Sequence, residues 1–286
     1  MNNSLEIIKK AWSFYKHNFK RLWPIFLFGS AGGFGIYSLV PDTSKISSYI
    51  YAFNTPFIVI IVSLCVALSI FLFISHITLY KTISNTFKGH IQNYEDSYKV
   101  GQELFISALL VAVIYDLSVQ GASQILIIPG IILSVYLVFY LFEFVDQNKR
   151  GMDALLSSWA IVSGRWWEVF WRVIIVSLMI VLPFLIIVSA FILPIFSLSF
   201  IFGMNSMLAF LLSVFIVIFV FITILLIVPL TIISLFEVYY YFRNSRDNKR
   251  NEKTDKRRAL IIEIFAIIGL MYLIFEILNR FHINIL

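Results

Sequence analysis

The chain has 286 residues and a formal net charge of +6; 60% of its residues are hydrophobic and only 13% are charged. A soluble globular domain carries about 25% charged residues, and a mean hydropathy of +0.91 also argues against one. The composition therefore predicts an integral membrane protein. The basic residues are clustered and no aromatic-basic motif accompanies them, so we interpret them as determinants of topology and exclude nucleic-acid binding.

The N-terminal region is predicted to form an amphipathic helix over residues 4–20, followed by a first span over residues 22–40. Small residues from Gly29 to Gly35 give that span a close-packing face. We interpret it as a retained span and not as a cleaved signal peptide. A polar loop over residues 41–54 leads to a second span over residues 56–80. The apolar stripe of the amphipathic helix consists of Leu5, Ile8, Trp12, Tyr15 and Phe19.

The middle of the chain is predicted to contain a polar segment, residues 88–103, and then a third span, residues 104–120. The small, uncharged residues 121–124 predict a tight turn. A fourth span follows over residues 125–145, with Pro129 in its first turn, where a proline costs least.

Residues 151–165 predict a second amphipathic helix on the membrane surface, with Gly164 as the hinge into the next span. Its apolar stripe consists of Met152, Leu155, Leu156, Trp159, Val162 and Trp166. The remaining predicted elements are a fifth span over 168–195, a sixth over 207–240, a charged linker over 243–258 and a seventh span over 260–278.

Orientation follows from the placement of lysine and arginine. Of the 22 basic residues, all but Lys45 and Arg280 fall on one side of the predicted membrane. The positive-inside rule then predicts a multi-pass protein of the cell membrane with its N-terminus in the cytoplasm and its C-terminus outside.

The first amphipathic stripe recurs at residues 152–166 and more weakly at residues 91–105, and each copy precedes two spans. The sequence therefore predicts an all-α polytopic integral membrane protein. Its six-span core has three helical hairpins with cytoplasmic amphipathic helices, and a seventh C-terminal span is appended. The predicted divisions are 1–242 (repeat units about 4–80, 90–145 and 151–240), the basic linker 243–258, and 259–286.

The run from Pro129 to Val176 carries a further pattern. A Pro-Gly pair opens a span, an Ala-x-x-x-Ser-Trp helix follows, and a glycine with an aromatic pair precedes the next span. These residues are Pro129, Gly130, Ala154, Ser158, Trp159, Gly164, Trp166 and Trp167. The pattern resembles the bacterial membrane domain attached to some glycerophosphoryl diester phosphodiesterases, and related stand-alone membrane proteins of unknown function. The resemblance implies three hairpins but no phosphodiesterase activity, because in that family a separate soluble barrel carries the catalysis.

Burying an ionisable side chain within a membrane span costs free energy, so each such residue is a candidate functional residue. Asp116 lies five residues before Gly121, ~7–8 Å below the predicted turn. It is either a proton or cation site or, as we favour, a hydrated carboxylate bonded to the outer loop. Glu143 and Glu237 end two spans in similar contexts and are expected to pair with basic residues of the amphipathic helices. Trp12, Trp159, Trp166, Trp167 and Trp171 are predicted interfacial anchors.

No catalytic, metal-binding or cofactor-binding motif is present in the sequence, which favours a non-enzymatic accessory or lipid-organising role. The alternative is a transporter or permease for a lipid or a small molecule. The linker Arg243–Arg258 is either a binding segment for anionic lipids or a solvated connection. The predicted partners are the lipid bilayer and either a membrane protein or a second copy of the chain.

Overall fold

The computed structural model describes residues 4–38, 55–90, 93–202, 206–245 and 252–280, and within these residues all regular structure is helical. The predicted loop 41–54, part of the linker 243–258 and the chain end after residue 280 lie outside the described residues. The helices are α1 (Ser4–Ser38), α2 (Thr55–Phe87), α3 (Tyr94–Ile125), α4 (Ile127–Tyr136), α5 (Tyr140–Gln147), α6 (Met152–Val162), α7 (Trp166–Phe202), α8 (Ser206–Asn244) and α9 (Glu252–Arg280).

Six stretches of the described chain are long and apolar enough to cross a bilayer, so the chain is a multi-span helical membrane protein. The predicted first span lies in α1, whose side chains from Gly29 onward are outside the described residues. The six stretches are Ser63–Phe87, Glu95–Ile125, Ile127–Gln147, Trp166–Ala190, Leu226–Asn244 and Thr254–Asn279.

The first two polar segments are not separate helices, which corrects the sequence prediction. Helix α1 runs without interruption from residue 4 into the predicted first span as far as Ser38, and α3 runs from residue 94 through the predicted third span. A helix of 35 residues is about 52 Å long, well beyond the ~30 Å of a bilayer core. No left-handed glycine interrupts the described part of either helix, so each polar segment extends its span.

The buried face of the N-terminal half of α1 matches the predicted stripe only in part. Ile7, Ala11 and Tyr15 are buried, whereas Leu5 and Trp12 are about half exposed. Apolar periodicity therefore located the helix and predicted Tyr15 correctly, but Ile7 and Ala11, which lie outside the predicted stripe, are buried in place of Leu5 and Trp12. The reason lies in α2, which runs beside α1: Phe14 of α1 stacks on Phe87 of α2 with ring centroids 4.7 Å apart.

The predicted turn over residues 121–124 is wrong, because α3 continues through it to Ile125 and the connection to α4 is Leu126 alone. Gly121 is instead a point of helix crossing. A Cβ atom on Gly121 would lie 1.9 Å from the carbonyl oxygen of Phe265 in α9, and one on Gly269 would lie 2.1 Å from that of Leu117 in α3. The last helix is therefore packed against α3, as in other membrane helix pairs that meet at small residues.

The predicted fourth span is also interrupted. Helix α4 ends at Tyr136 and α5 begins at Tyr140, with 3₁₀-type bonds across residues 137–139. Two backbone groups freed by this break are bonded by a single hydroxyl: Phe139 donates its N–H to Ser158 Oγ (3.0 Å), and Ser158 donates to the carbonyl of Tyr136 (2.9 Å). The break is thus stabilised by a side chain of α6.

Helix α6, which the sequence predicted as a membrane-surface helix over residues 151–165, packs against the other helices. Seven of its eleven residues are buried among the other helices. Gly164, with φ +83°, follows the end of α6 and permits the change of direction into α7 that the sequence predicted. The buried residues are Ala154, Leu155, Leu156, Ser157, Ser158, Ile161 and Val162.

Candidate functional site

A buried carboxylate, Asp146, lies where the ends of α2, α5 and α8 meet. Its side chain has no exposed surface and receives hydrogen bonds from Tyr240 (2.6 Å), Ser84 (2.9 Å) and Arg243 (2.9 Å). Lys88 lies 2.9 Å from the same carboxylate and also donates to the backbone carbonyl of Asp146 at 2.6 Å. Two cations and three helices thus converge on one acid.

A second buried carboxylate, Glu143, lies one turn earlier on α5. Tyr239 donates to its Oε1 at 2.8 Å, and Lys149 donates to its Oε2. Tyr239 also contacts Asp146 Oδ2 at 3.4 Å, so its hydroxyl bridges the two acids. Because residues three apart share a helix face, both carboxylates of α5 point toward the end of α8.

Basic groups outnumber the acids around this pair. Besides Lys88, Lys149 and Arg243, Lys81 donates to the carbonyl of Val145 at 2.7 Å and to Asn148 Oδ1 at 3.2 Å. The Arg150 guanidinium lies 4.4 Å from the ring centroid of Phe144 and is exposed. We name the seven charged residues the polar cluster. They are Lys81, Lys88, Glu143, Asp146, Lys149, Arg150 and Arg243.

The start of α7 packs beside the polar cluster. Arg165 donates to the carbonyl of Phe242 at 3.1 Å, and the Arg172 guanidinium lies 4.2 Å from the ring centroid of Tyr241. Trp167 and Trp171 on the same first turns of α7 are 67% and 54% exposed. Exposed tryptophans therefore lie at the same end of the molecule as the excess of cations.

The tryptophans predicted as anchors fall into two groups. Trp12, Trp167 and Trp171 are exposed. Trp159 is half-buried and stacks on Tyr136 with centroids 4.6 Å apart. Trp166 is also half-buried, and its Nε1 donates to the carbonyl of Ile132 at 3.1 Å, so these two rings contact α4.

Glu143 was predicted as a candidate residue from the sequence, whereas Asp146 was not. Their spacing could have indicated Asp146, because two acids three residues apart at the end of an apolar span lie on one face of the helix. Glu237, the other predicted acid, lies on α8 outside the polar cluster and is half-buried within range of the charge of Lys10 on α1. Glu143 and Glu237 are therefore not brought together.

Asp116 lies elsewhere, on the wall of a cavity of about 130 Å³ between α2, α3 and α5. It is nine residues from the end of α3, about 13 Å along the axis and deeper than the predicted turn implied. His76 and Tyr80 of α2 line the cavity, and in its wall Tyr115 of α3 stacks on Tyr140 of α5 with centroids 4.4 Å apart. Asp116 is exposed and makes no hydrogen bond or ion pair with any other residue that the structure describes.

The residues that carried the family resemblance have packing roles. Ser158 bonds the break between α4 and α5, and Ala154 is buried beside it. Gly130 lies where a Cβ would be 2.0 Å from Ser123 Oγ, so it permits the close contact of α3 with α4. Of the motif residues, Ser158 is therefore the one that stabilises this break.

Among the described ranges, no group of three His, Cys, Asp or Glu residues is placed to hold a metal ion. Comparison with protein-family models, curated proteins and solved structures gives no match.

Proposed function

We propose that this multi-span membrane protein has a non-enzymatic, lipid-organising role, in which the polar cluster and the nearby tryptophans bind anionic lipid headgroups. The observation that carries the proposal is the charge balance: five basic side chains surround two carboxylates that are already bonded. The cations lie at one end of the molecule and retain exposed surface, as in Lys88 (37%) and Arg243 (33%).

The surroundings of the cluster suit a headgroup region. Tryptophan rings favour the boundary between the hydrocarbon and the headgroups, and Trp167 and Trp171 are exposed beside the cluster. Each basic residue held near an anionic surface adds about 1 kcal/mol of attraction. By the positive-inside rule this end is the cytoplasmic one, which is also where we propose the N-terminus lies.

The test is lipid retention, measured by native mass spectrometry of protein released from nanodiscs that contain phosphatidylcholine and phosphatidylglycerol. Lys88→Gln with Arg150→Gln is expected to lose retained phosphatidylglycerol, whereas Lys88→Arg with Arg150→Lys keeps it. The matched control is Lys9→Gln with Lys99→Gln, which removes the same charge from exposed positions outside both the cluster and the linker. Equal phosphatidylglycerol retention by all three variants would contradict the proposal.

The finer architecture is part of the same proposal: a six-span core of three hairpins, an additional C-terminal span and the cell membrane as location. The resemblance to the membrane domain of glycerophosphoryl diester phosphodiesterases supports it, since that resemblance implies three hairpins. A membrane protein or a second copy of the chain remains the proposed protein partner, and the linker Arg243–Arg258 a further contact with anionic lipid.

A second candidate function is transport of a small molecule. The cavity beside Asp116 favours it, because ionisable groups facing a cavity within the span region mark transport pathways in other membrane proteins. Flux in proteoliposomes that is lost in Asp116→Asn, with insertion retained, would support transport. A lipid-retention defect in the cluster variants without any flux would leave the lipid role alone.

A further inference from the structure

We propose that the cavity between α2, α3 and α5 binds a small organic cation, held by the carboxylate of Asp116 and by the faces of the surrounding aromatic rings. The proposal concerns binding alone. It depends neither on the lipid-organising role nor on transport.

The carboxylate is the first reason. Asp116 lies in the middle part of an apolar stretch, Glu95–Ile125, and has no described side chain bonded to it. An ionised carboxylate at that depth is costly unless a partner of opposite charge is present. The acids of the polar cluster show the contrast, because Asp146 and Glu143 each have a cation bonded to them.

The walls of the cavity are the second reason. Tyr80, Tyr115 and Tyr140 line it. Tyr115 and Tyr140 cover one face of each other at 4.4 Å, so a ligand would contact the opposite face or the edge of these two rings. The face of an aromatic ring carries partial negative charge and attracts ammonium groups, most strongly where water is excluded. An aromatic lining with a single carboxylate is therefore complementary to an alkylated ammonium ion.

The volume and the lining of the cavity argue against a single water molecule or a divalent metal ion as the ligand. A volume of about 130 Å³ holds several non-hydrogen atoms, since a single water needs only about 10–15 Å³ by the same measure. Calcium and magnesium require about six or more oxygen ligands, whereas much of this wall is carbon, including Phe73, Ile77 and Leu141.

The ammonium group has two sources, a free amine or the headgroup of a lipid such as phosphatidylethanolamine. Both present the same chemistry to Asp116, namely a compact cation with attached carbon. The experiment therefore includes an arm for each source.

The probe is tetramethylammonium, and its binding is followed by saturation-transfer NMR with the full chain in phosphatidylglycerol nanodiscs. We expect saturable binding that Asp116→Asn weakens about tenfold or more, because the only carboxylate in the cavity wall loses its charge. Asp96→Asn is the matched control, since Asp96 is exposed on the same helix and does not line the cavity. tert-Butanol, a neutral molecule of similar shape, is expected to compete poorly.

A second pair of variants separates ring chemistry from folding. Tyr115→Phe keeps the aromatic face and is expected to bind as the wild type does, whereas Tyr115→Leu loses binding. Competition by added phosphatidylethanolamine would assign the site to a headgroup, and its absence to a free amine. Absence of saturable binding, equal binding by Asp116→Asn, or equal competition by tert-butanol would overturn the proposal.

Discussion

Tyr240 donates a 2.6 Å hydrogen bond to Asp146 across 94 positions of sequence, and this bond joins the end of α8 to the end of α5. Ser84 of α2 bonds to the same carboxylate oxygen. Three helices are therefore held in register at one end by a single acid. A buried acid with its charge matched by two cations stabilises a packed bundle only while every partner is present.

Asp146→Asn is accordingly expected to destabilise the bundle strongly. Removing the charge leaves Lys88 and Arg243 facing a neutral amide, and breaking a buried pair typically costs about 3–5 kcal/mol. The partial exposure of both cations places the expected loss near the lower end. Unfolding in increasing dodecyl sulfate measures it, with Glu103→Gln, an exposed acid on α3, as the control. A loss no larger than that of Glu103→Gln would contradict the structural role of Asp146.

The sequence located the apolar helices well because burial in lipid requires long apolar runs, which are a local property. It did not locate the partners of Asp146, because Ser84 and Tyr240 come from distant positions and their convergence depends on tertiary packing. The same limit explains α1. Periodicity predicted that α1 is amphipathic with Tyr15 on its apolar face, but packing against α2 buries Ile7 and Ala11 rather than Leu5 and Trp12.

The crossing of α3 and α9 predicts that alanine is not tolerated at either glycine. A Cβ on Gly121 would meet the backbone of α9 at 1.9 Å, and backbone cannot move aside as a flexible side chain does. Gly121→Ala is expected to cost about 1–3 kcal/mol, whereas Val113→Ala, at an exposed position on the same helix, costs much less.

A double variant tests whether Gly121 and Gly269 belong to the same helix contact. One alanine already separates the two helices, so the second alanine causes a smaller steric clash. The double variant Gly121→Ala/Gly269→Ala is therefore expected to lose much less unfolding free energy than the sum of the losses in the two single variants. Unfolding free energies of the two single variants and the double variant measure the coupling. Strict additivity would indicate that the two glycines do not share one contact.

The break between α4 and α5 offers a matched pair of serines on α6. Ser158→Ala leaves the Phe139 N–H and the Tyr136 carbonyl without their partner, which is expected to cost about 1–3 kcal/mol. The neighbouring Ser157 hydroxyl is buried without a hydrogen-bond partner in the described chain, so Ser157→Ala is expected to be neutral or slightly stabilising. Equal losses in thermal unfolding would refute the bonding role of Ser158.

This break was not predictable from residues 125–145. An apolar run with one early proline predicts a continuous span, and nothing within it marks residues 137–139. The interruption is possible because Ser158, in another helix, replaces the missing backbone partner. The resemblance motif contained that serine, but the motif alone did not reveal what the serine bonds to.

Replacing tyrosine by phenylalanine is expected to change the unfolding free energy in opposite directions at Tyr15 and Tyr239. The Tyr15 hydroxyl is buried without a partner among the described residues, so Tyr15→Phe is expected to raise the unfolding free energy by about 1 kcal/mol. Tyr239 bonds to Glu143 at 2.8 Å, and Tyr239→Phe is expected to lower it by a similar or larger amount. Unfolding of the two variants in parallel measures both signs, and a loss in Tyr15→Phe would contradict the assignment.

The pH dependence of Tyr15→Phe provides a further test. Burial raises the pKa of Tyr15 to about 12, whereas a tyrosine in the unfolded chain titrates near 10. The folded chain therefore holds this proton more tightly, and the resulting stabilisation is complete below about pH 10 and is lost as the pH rises toward 12. Because phenylalanine has no proton to lose, the stability advantage of Tyr15→Phe over the wild type is expected to grow across that interval. A constant difference from about pH 9 to about pH 12 would show that Tyr15 is solvated in the folded chain.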